Sequence, residues 1–561
     1  MQRLLLRQLP PQRQDGDLAR HRLLPRRADY DGLSHTWRND LVAGATVGVV
    51  ALPLALAFGI TTGLGAEAGL ITAIVAGVVA ATFGGSNVQV SGPTGAMTVV
   101  LVPVVARYGA DAVPVVAVIA GVLIVAAAVA GLGRYLAYVP WPVIEGFTVG
   151  IAVIIFLQQV PAALGVAKPD GENTAAVAAR AVGHAFGHAQ PAAMAVTLLT
   201  IATLVVVPRV HRSLPASLIG VAVATAAAEA LGLHIGRIGE LPSSLPLPSL
   251  PSLSLDETRN LLSAGLAVAI LAALESLLSA KVADGMARGP RHDPDRELFG
   301  QGLANLASPM FGGMPATGAI ARTAVNVRAG ATTRLAAVVH ALVLVAVVLF
   351  AGGLVGRIPL AALAGVLMVT AVRMVEVHNV RAVVGATRSD AMVLGLTALS
   401  TVAFDLIMAV EIGIAVAAFL ALRKVAQTMS AVAEPVAADD VPADELLHEG
   451  IIAYRLDGAL FFGAAQRFLT ELTAVTDAKV AILRLPDLQV LDATGAQALG
   501  EIVAELEARG ITVLLKGPRR EHLRVLESVG VLDRLAHRNH LFTSLPDAVQ
   551  HARDHAGRRV R

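Results

Sequence analysis

The stretch FGGMPATGAIARTAVNVR, residues 311–328, decides how the surrounding chain can fold. It opens an apolar segment, but the glycine pair at 312–313 and Pro315 prevent a regular helix at its start. In a membrane, backbone N–H groups freed in this way must face a polar partner and not lipid. A helix that begins near Thr317 would direct its positive end at an anion, and Arg322, one turn further in, adds a full charge.

A similar pattern occurs in the first half of the chain. The segment SGPTGAMTV, residues 91–99, opens another short apolar stretch, and its PTGA at 93–96 matches PATGA at 315–319. Two short segments broken by glycine and proline at matching places in two halves indicate the central binding site of a transporter. For Arg322, an interfacial or purely structural role is the alternative.

The composition is typical of a polytopic membrane protein. Only 15% of the 561 residues are charged and 55% are hydrophobic, whereas a soluble chain has about 25% charged residues. The apolar runs are too long and too numerous for a signal peptide or a single anchor. The absence of cysteine excludes disulfides, thiolate metal sites and thiol nucleophiles. The formal net charge of +2 gives no indication of nucleic-acid binding.

The apolar segments fall into two halves. Residues 1–36 contain many arginines without apolar periodicity, which predicts a basic disordered tail on the cytoplasmic side. We predict seven transmembrane segments over 37–233 and seven more over 259–428, joined by a linker rich in Pro and Ser at 234–258. An odd number of segments per half gives the halves opposite orientations, with the site near the bilayer midplane.

Residues 447–556 have a different character, because strand-like runs such as VAILRL alternate with helical ones. This pattern predicts a small soluble α/β domain. The sequence DATG at 492–495 follows a strand-like run and opens a helix, so Asp492 or Thr494 is a candidate N-cap, with a signalling role as the alternative. The domain contains no recognisable phosphate loop, Ser-His-Asp set or paired carboxylates, which disfavours enzyme activity.

Glu275 lies in the middle of the apolar run LAVAILAALESLLSAKVA. A carboxylate inside a membrane faces a cavity or a partner, so we expect Glu275 either to pair with Arg322 or to carry a proton. Both alternatives suit ion-coupled transport, and a static structural pair is the third possibility. The adjacent Ser276 and Ser279 are interpreted as hydroxyls that bond back to their own helix.

The polar segment HDPDRELFGQGLAN, residues 292–305, offers His292, Asp293 and Asp295 as conceivable metal ligands. Their spacing fits no standard metal site, so a loop followed by a helix start is the preferred interpretation. His340, within an apolar span, is expected to be a hydrogen-bonded core residue.

Taken together, these segments resemble the sulfate permease (SulP) family of anion transporters over nearly all of 37–556, and the C-terminal part resembles a STAS domain. In that resemblance, Thr494 occupies the position of the STAS fold's phosphorylatable serine. The matching motifs are RNDLVAGATVGVVALPLALAFGI (38–60), SGPTGAM (91–97), LESLLSAKVADGM (274–286), RELFGQGLANLASPMFGGMPATGAIARTAVNVRAG (296–330) and DATG (492–495).

The resemblance implies a polytopic α-helical membrane protein with 14 transmembrane segments in a 7+7 inverted repeat, divided into core and gate domains, plus a C-terminal cytoplasmic α/β STAS domain. It implies a homodimer in the cytoplasmic membrane and an elevator-like movement, and it implies no cofactor. The anion site that it implies lies between the third and tenth segments, with a wall near Leu54 in the first. The residues carried over to this site are Thr94, Gly95, Ala96, Gly318, Ala319 and Arg322.

Departures from the family pattern at three positions bear on the coupling ion. Sodium-coupled bicarbonate members have Asp and Thr where this chain has Glu275 and Ser279, and they have Thr where it has Ile320. Since a hard cation needs several oxygen ligands, these replacements disfavour sodium and favour a proton carried by Glu275. The glutamate also resembles the pattern of bacterial members that carry C4-dicarboxylates or sulfate.

We therefore expect a secondary active transporter for sulfate, bicarbonate or a small dicarboxylate, driven by proton symport. One alternative is a sodium-coupled bicarbonate transporter. Another is an uncoupled anion channel or exchanger in which the STAS domain is a regulatory module with a cytoplasmic protein partner.

Overall fold

The computed structural model describes most of residues 23–558, and the chain divides into two units, Met1–Ile414 and Ala415–Arg561. Each unit is described by itself. The residues within 23–558 that the structure does not describe are 31, 135–139, 172, 212–213, 242–243, 245, 250–254, 288–289, 404–411, 421–429, 435–448 and 461–477.

The first half of the membrane unit consists of apolar helices joined by short loops. Its first two helices approach closely because small residues line the contact: a Cβ on Gly69 would lie 1.9 Å from the carbonyl oxygen of Ala55. Gly63, with φ of 84°, ends the first helix in the left-handed conformation that glycine adopts without strain. The elements are α1 Leu33–Thr62, α2 Gly65–Phe83, β1 Ser91–Gly92, α3 Gly95–Tyr108, α4 Ala112–Val129, α5 Trp141–Gln158, α6 Val160–Leu164, α7 Thr174–His188, α8 Pro191–Val210 and α9 Ala216–Ala230.

The second half repeats this order, with a long helix, a polar helix, a two-residue strand and a short helix at its start. Beyond its last named helix, residues 412–420 are also helical. The elements are α10 Leu255–Met286, α11 Pro294–Met310, β2 Thr317–Gly318, α12 Ile320–Arg328, α13 Leu335–Val355, α14 Leu360–Met374, α15 Val377–Ala386 and α16 Arg388–Ala403.

Apolar helices of membrane-spanning length confirm the prediction of a multi-pass membrane protein. In the described ranges, eight helical stretches are long and apolar enough to cross a bilayer, and α3 and α9 are shorter apolar helices. The number of 14 segments stays a prediction, because residues 404–411 and 421–428 of the predicted second half lie outside the described residues.

The two halves exchange their fourth helices. In the first half, α4 packs on α10 and α11 of the second half; in the second, α13 packs on α1 and α2 of the first. Helices α5 and α14, which follow these two, pack against each other. Such reciprocal packing is the arrangement that an internal repeat with intertwined halves produces.

One face of α11 is polar, and its side chains bond to backbone that has left the helical conformation. Asn305 Nδ2 donates to the carbonyl oxygen of Ala316 (2.8 Å), and its Oδ1 accepts from the N–H of Ala316 (2.9 Å). Ser308 Oγ donates to the Met314 carbonyl oxygen at 2.8 Å. Because the groups are buried, these bonds replace those that helix or water would otherwise provide.

The glutamate at the start of α11 bonds to non-helical backbone in the first half of the chain. Glu297 Oε2 accepts from the backbone N–H groups of Gly85 (2.8 Å) and Ser86 (3.0 Å), and its Oε1 accepts from Ser276 Oγ at 2.8 Å. The conceivable metal ligand His292 instead contacts Asp284 through Nδ1 at 2.7 Å, and Asp293 is the N-cap of α11. Residues 292–305 therefore form a loop followed by the start of a helix, as predicted.

The membrane unit differs from the sequence-based expectation in three places. Residues 27–36 were assigned to a disordered tail, but Arg27–Tyr30 form a 3-10 helix and α1 begins at Leu33. Asp29 accepts two bonds from the Arg296 guanidinium, at 2.6 and 2.7 Å, which fixes this part of the chain to α11. Helices α7 and α15 were missed, because they are shorter and less apolar than a membrane span.

The C-terminal unit is an α/β domain, as predicted. Its elements are β3 Ser430–Glu434, β4 Ile451–Leu460, β5 Val480–Arg484, β6 Leu488–Leu491, α17 Ala493–Ala508, β7 Thr512–Lys516, α18 Arg520–Ser528, β8 Leu541–Phe542 and α19 Leu545–Arg558. The sheet has the order β3-β4-β5-β7-β8, and β6 also pairs with β4; the β4–β5, β5–β7 and β7–β8 pairs are parallel. The sheet begins at 430–434, before the predicted boundary of 447, and residues 461–477 of the predicted domain lie outside the described residues.

We expect Asn305→Leu to lower the free energy of unfolding by about 1–3 kcal/mol, because it leaves the buried N–H of Ala316 without an acceptor. Thr370→Val is the matched control. Its hydroxyl only bonds back to Val366 in the same helix, so its removal costs less than about 0.5 kcal/mol. Denaturant unfolding in detergent micelles measures both variants, and equal effects would contradict the role given to α11.

Candidate functional site

The two broken helices meet through the strands that precede them. Strands β1 and β2 pair antiparallel, with Ser91 opposite Gly318 and Gly92 opposite Thr317, and the N–H of Ala319 donates to the Val90 carbonyl oxygen at 2.9 Å. An antiparallel pair that runs into one helix at each end brings the two helix N-termini together and directs the helices away from each other. The two sequence motifs that predicted an internal repeat therefore lie side by side in the structure.

The first turns of these helices contain backbone N–H groups without a partner. Within the described residues, the N–H groups of Gly95 and Ala96 in α3, and of Ile320 and Ala321 in α12, donate to no backbone or side-chain acceptor. The first N–H groups of any helix lack an intrahelical acceptor, and they carry the positive end of the helix dipole. Two such ends side by side form a binding place for an anion.

Glu275 stands beside the N-terminus of α3. The hydroxyl of Thr94, the N-cap of that helix, donates to Glu275 Oε2 at 2.9 Å. Oγ1 of Thr94 in turn accepts weakly from the N–H of Met97 at 3.4 Å. The side chain of Glu275 is half-buried, whereas its neighbours Ser276 and Ser279 on α10 are fully buried. The carboxylate of Glu275 therefore lies at the N-terminus of α3.

Arg322 bridges the two broken helices. Its side chain is 3% exposed, Nη2 donates to the carbonyl oxygen of Pro93, and Nη1 has no hydrogen-bond partner in the described part of the chain. No nitrogen of Arg322 lies within 4.0 Å of a Glu275 oxygen. Of the two alternatives predicted for Glu275, the direct ion pair with Arg322 is therefore not formed, and the guanidinium instead bonds to the backbone just before α3.

Glycine at 92 and 318 leaves room for the side chains of Arg322 and Gln89 beside the paired strands. A Cβ on Gly92, whose φ is 153°, would lie 2.6 Å from Arg322 Nη1, and a Cβ on Gly318 would lie 1.7 Å from Gln89 Nε2. Gln89 in turn donates to Ser276 Oγ at 2.9 Å. Any larger residue at either position would displace a side chain that holds the crossing together.

The positions that bear on the coupling ion offer few oxygen atoms. Ser279 was interpreted as a hydroxyl that bonds back to its own helix. Instead, its Oγ donates to Thr323 Oγ1 in α12 at 3.1 Å. Thr323 also accepts from the N–H of Val90 at 3.1 Å. Ile320 is half-buried in the first turn of α12 and contributes only an apolar side chain.

A cavity of about 390 Å³ lies at the C-terminal end of α1 and is lined by residues that include Thr61 and Gln159. Apolar side chains pack against the N-terminus of α3. A Cβ on Gly95 would lie 2.2 Å from Ile155 Cδ1 and 3.4 Å from Phe58 Cε1.

The structure does not bring every predicted site residue to the same place. Leu54 is buried in the apolar core around α1 and α3; the side chain of Ala96 also belongs to that core, although its backbone N–H lies in the first turn of α3. Asp492 and Thr494 belong to the C-terminal unit, where Asp492 is the N-cap of α17 and accepts from the N–H of Gly495 at 2.7 Å, and where Thr494 is exposed.

Sequence reasoning missed the polar residues that hold the site in place. Gln301 Oε1 accepts from Ser91 Oγ at 3.1 Å, and its Nε2 donates to the Ala316 carbonyl oxygen at 2.9 Å. The signal was the spacing of Glu297, Gln301 and Asn305 at every fourth residue, which places them on one face of a helix. His340, expected to be a hydrogen-bonded core residue, is fully buried in α13; neither ring nitrogen makes a hydrogen bond of good geometry with any described residue, although the ring lies near the backbone of Ala337.

Comparison with known proteins identifies the family of the chain. The family model described as "Sulfate permease family" matches residues 37–397, and the STAS domain model matches 446–548. The chain belongs to the sulfate permease family. Among its relatives, "Putative sulfate transporter YvdB" of Bacillus subtilis is 33% identical over 90% of this chain and 96% of its own length. "Bicarbonate transporter BicA" of Picosynechococcus is 32% identical over 89% of this chain and 92% of its own.

Solved structures show that this sulfate permease protein has the fold expected from its family. Murine Slc26a9, described as an anion transporter in the inward-facing state, matches with a TM-score of 0.82 over 99% of this chain and 97% of its own, at 18% identity. The transmembrane domain of a cyanobacterial BicA matches at 32% identity with a TM-score of 0.62, over 67% of this chain and 97% of its own.

We expect Gly318→Ala to destabilise the protein by about 1–3 kcal/mol, since the new Cβ must displace Gln89 and break its bond to Ser276. Gly353→Ala in α13 is the control, because nothing lies within 4 Å of its added Cβ; it should be neutral or stabilising by up to about 1 kcal/mol. Unfolding in detergent distinguishes the two, and a Gly318→Ala variant as stable as the control would show that the crossing is not tightly packed.

Proposed function

We propose that this protein is a secondary active transporter that moves a small anion across the cytoplasmic membrane by proton symport. The observation that carries the proposal is the meeting of the N-termini of α3 and α12, with free N–H groups on both, beside Glu275 and Arg322. In this arrangement the helix ends and the arginine bind the anion, and the glutamate binds the coupling proton.

The site suits a compact oxyanion. The unpaired N–H groups of Gly95, Ala96, Ile320 and Ala321 are short-range donors that match the oxygens of sulfate, bicarbonate or a carboxylate. The relatives support the same class, since one is named a sulfate transporter and another a bicarbonate transporter. A small dicarboxylate would present the same chemical group, so it belongs to the substrates to be tested.

A proton is the coupling ion that the residues favour. Glu275 can hold one on the carboxylate that now accepts from Thr94. A sodium ion would need more oxygen ligands, but Ser279 is bonded to Thr323 and Ile320 offers none. Protonation of Glu275 would also remove a negative charge next to the anion, which couples the binding of the proton to that of the substrate.

An elevator-like movement would carry this site across the membrane. Helices α1–α4 and α10–α13 form one intertwined group that contains the site, while α5, α8, α9, α14 and α16 pack among themselves. The groups touch where α14 and α9 meet α1 and where α5 meets α3, and the first group would slide along these contacts. We also propose that the protein is a homodimer and that its N-terminus and STAS domain are cytoplasmic; the arginines among residues 1–36 support this orientation.

Uptake into liposomes tests the function. The purified protein is reconstituted, and uptake of labelled sulfate, bicarbonate and fumarate is measured under an imposed proton gradient or an imposed sodium gradient. Proton-driven uptake of any of the three supports the proposal. Uptake that follows only sodium overturns the assignment of the coupling ion, and flux that follows neither gradient points to a channel or exchanger.

We expect Glu275→Gln to retain anion binding but to lose proton-driven uptake. The amide can still accept the hydrogen bond from Thr94, but it cannot take up a proton. Glu145→Gln is the matched control, because Glu145 is also half-buried at an apolar helix and accepts from Trp141 and Asn379 away from the site. Uptake that keeps its proton dependence in Glu275→Gln would eliminate this residue as the proton carrier.

Arg322→Gln should weaken anion binding by at least about tenfold, or about 1.4 kcal/mol, because it removes the positive charge behind the helix ends. Arg328→Gln, at the exposed C-terminal end of the same helix, should leave affinity unchanged. Arg322→Lys keeps the charge and should recover part of the loss. Calorimetry with the transported anion gives the affinities, and equal affinity in Arg322→Gln and wild type would assign the arginine a structural role.

A further inference from the structure

Three histidines of the C-terminal unit converge in a way that neither the fold nor the proposed transport explains. Donor atoms of His540, His551 and His555 all lie within 4.8 Å of one another. Their ring centroids are 5.4 Å (His540–His551), 5.2 Å (His540–His555) and 4.8 Å (His551–His555) apart. A fourth histidine, His537, has its ring centroid 5.5 Å from that of His540.

The sequence and the fold place these side chains together. His551 and His555 are four residues apart in α19 and so project from one face of that helix. His540 ends the short 3-10 helix Arg538–His540, directly before β8 at the edge of the sheet, and α19 packs on β8 and β7. In the sequence, two histidines separated by two residues precede two separated by three, a spacing that resembles paired ligands of zinc sites.

The burial of His540 calls for a partner. Its side chain is fully buried, and neither ring nitrogen makes a hydrogen bond of good geometry with any described residue; the same holds for Nε2 of His551. A buried polar atom without a partner is costly. An imidazole nitrogen that lacks a hydrogen-bond partner is available as a metal ligand.

We propose that His540, His551 and His555 form a binding site for one divalent transition-metal ion of the zinc class. Imidazole nitrogen suits Zn²⁺, Ni²⁺ or Cu²⁺, whereas Mg²⁺ and Ca²⁺ require oxygen ligands that this cluster does not supply. The fourth position of a tetrahedral ion is left for water or for the exposed His537.

The geometry requires only a small contraction. Ligands at about 2.0–2.1 Å from a tetrahedral ion are about 3.3 Å apart. Side-chain rotations of His551 and His555, which are half-buried, can bring their nitrogens from within 4.8 Å to that separation while His540 stays fixed. A bound ion would then tie the C-terminal helix α19 to the edge of the sheet.

Metal binding by the full-length protein tests the site. The protein is purified in detergent without a polyhistidine tag, stripped with EDTA and dialysed against buffered Zn²⁺, and bound zinc is quantified by mass spectrometry. We expect one tightly bound zinc per chain, and at least about 100-fold weaker binding in His551→Gln and in His555→Gln. His184→Gln and His378→Gln, which change exposed histidines outside the cluster, should bind zinc as the wild type does.

A spectroscopic measurement separates binding from misfolding. Co²⁺ bound to three imidazoles in the wild type should show the visible bands of tetrahedral coordination, and these bands should disappear on titration with Zn²⁺. The cluster variants are compared by circular dichroism, so that only folded protein is scored. Absence of tight zinc binding in the wild type, or equal binding in folded His551→Gln and His555→Gln, would overturn the proposal.

Discussion

Polypeptide backbone that leaves the helical conformation inside a bilayer must find hydrogen-bond partners within the protein, and the membrane unit depends on this constraint. Side chains of one polar helix, α11, bond to the backbone at both breaks in the helices. Asn305 and Ser308 of α11 bond to the chain before α12, and Glu297 bonds to the chain after α2. Helix α11 thereby connects both halves of the repeat at the point where each is interrupted.

The same network fixes the groups proposed to bind anion and proton. Gln301 holds Ser91 of β1, and Glu297 holds Ser276, the residue next to Glu275. The two helix N-termini and the carboxylate are therefore fixed by one set of buried contacts, which keeps the donors in place without a ligand. Arg322 adds one more contact to this set. Its guanidinium, on α12, donates to the carbonyl oxygen of Pro93 just before α3 and so links the two broken helices.

Much of the architecture followed from local pattern. The broken motifs at 93–96 and 315–319 and the glutamate in an apolar run identified the elements that meet, since glycine, proline and charge are unfavourable in a membrane helix unless a structural or functional role requires them. Other features had no such signal. Charge alone left two alternatives for Glu275, a pair with Arg322 or a bound proton; the direct pair is not formed, because the arginine bonds to a backbone carbonyl and the glutamate to Thr94.

The sequence by itself determined the membrane class, the two-part organisation, the family and the positions at which the helices break, because hydropathy and glycine or proline placement act over short distances along the chain. Only the tertiary structure decided which polar groups meet. Gln89 contacts Ser276 although the two residues lie in different halves of the membrane unit. His540 meets His551 and His555 although it precedes a strand and they lie on a helix. Such contacts depend on how helices and strands pack in three dimensions, and no periodicity of a single segment encodes that arrangement.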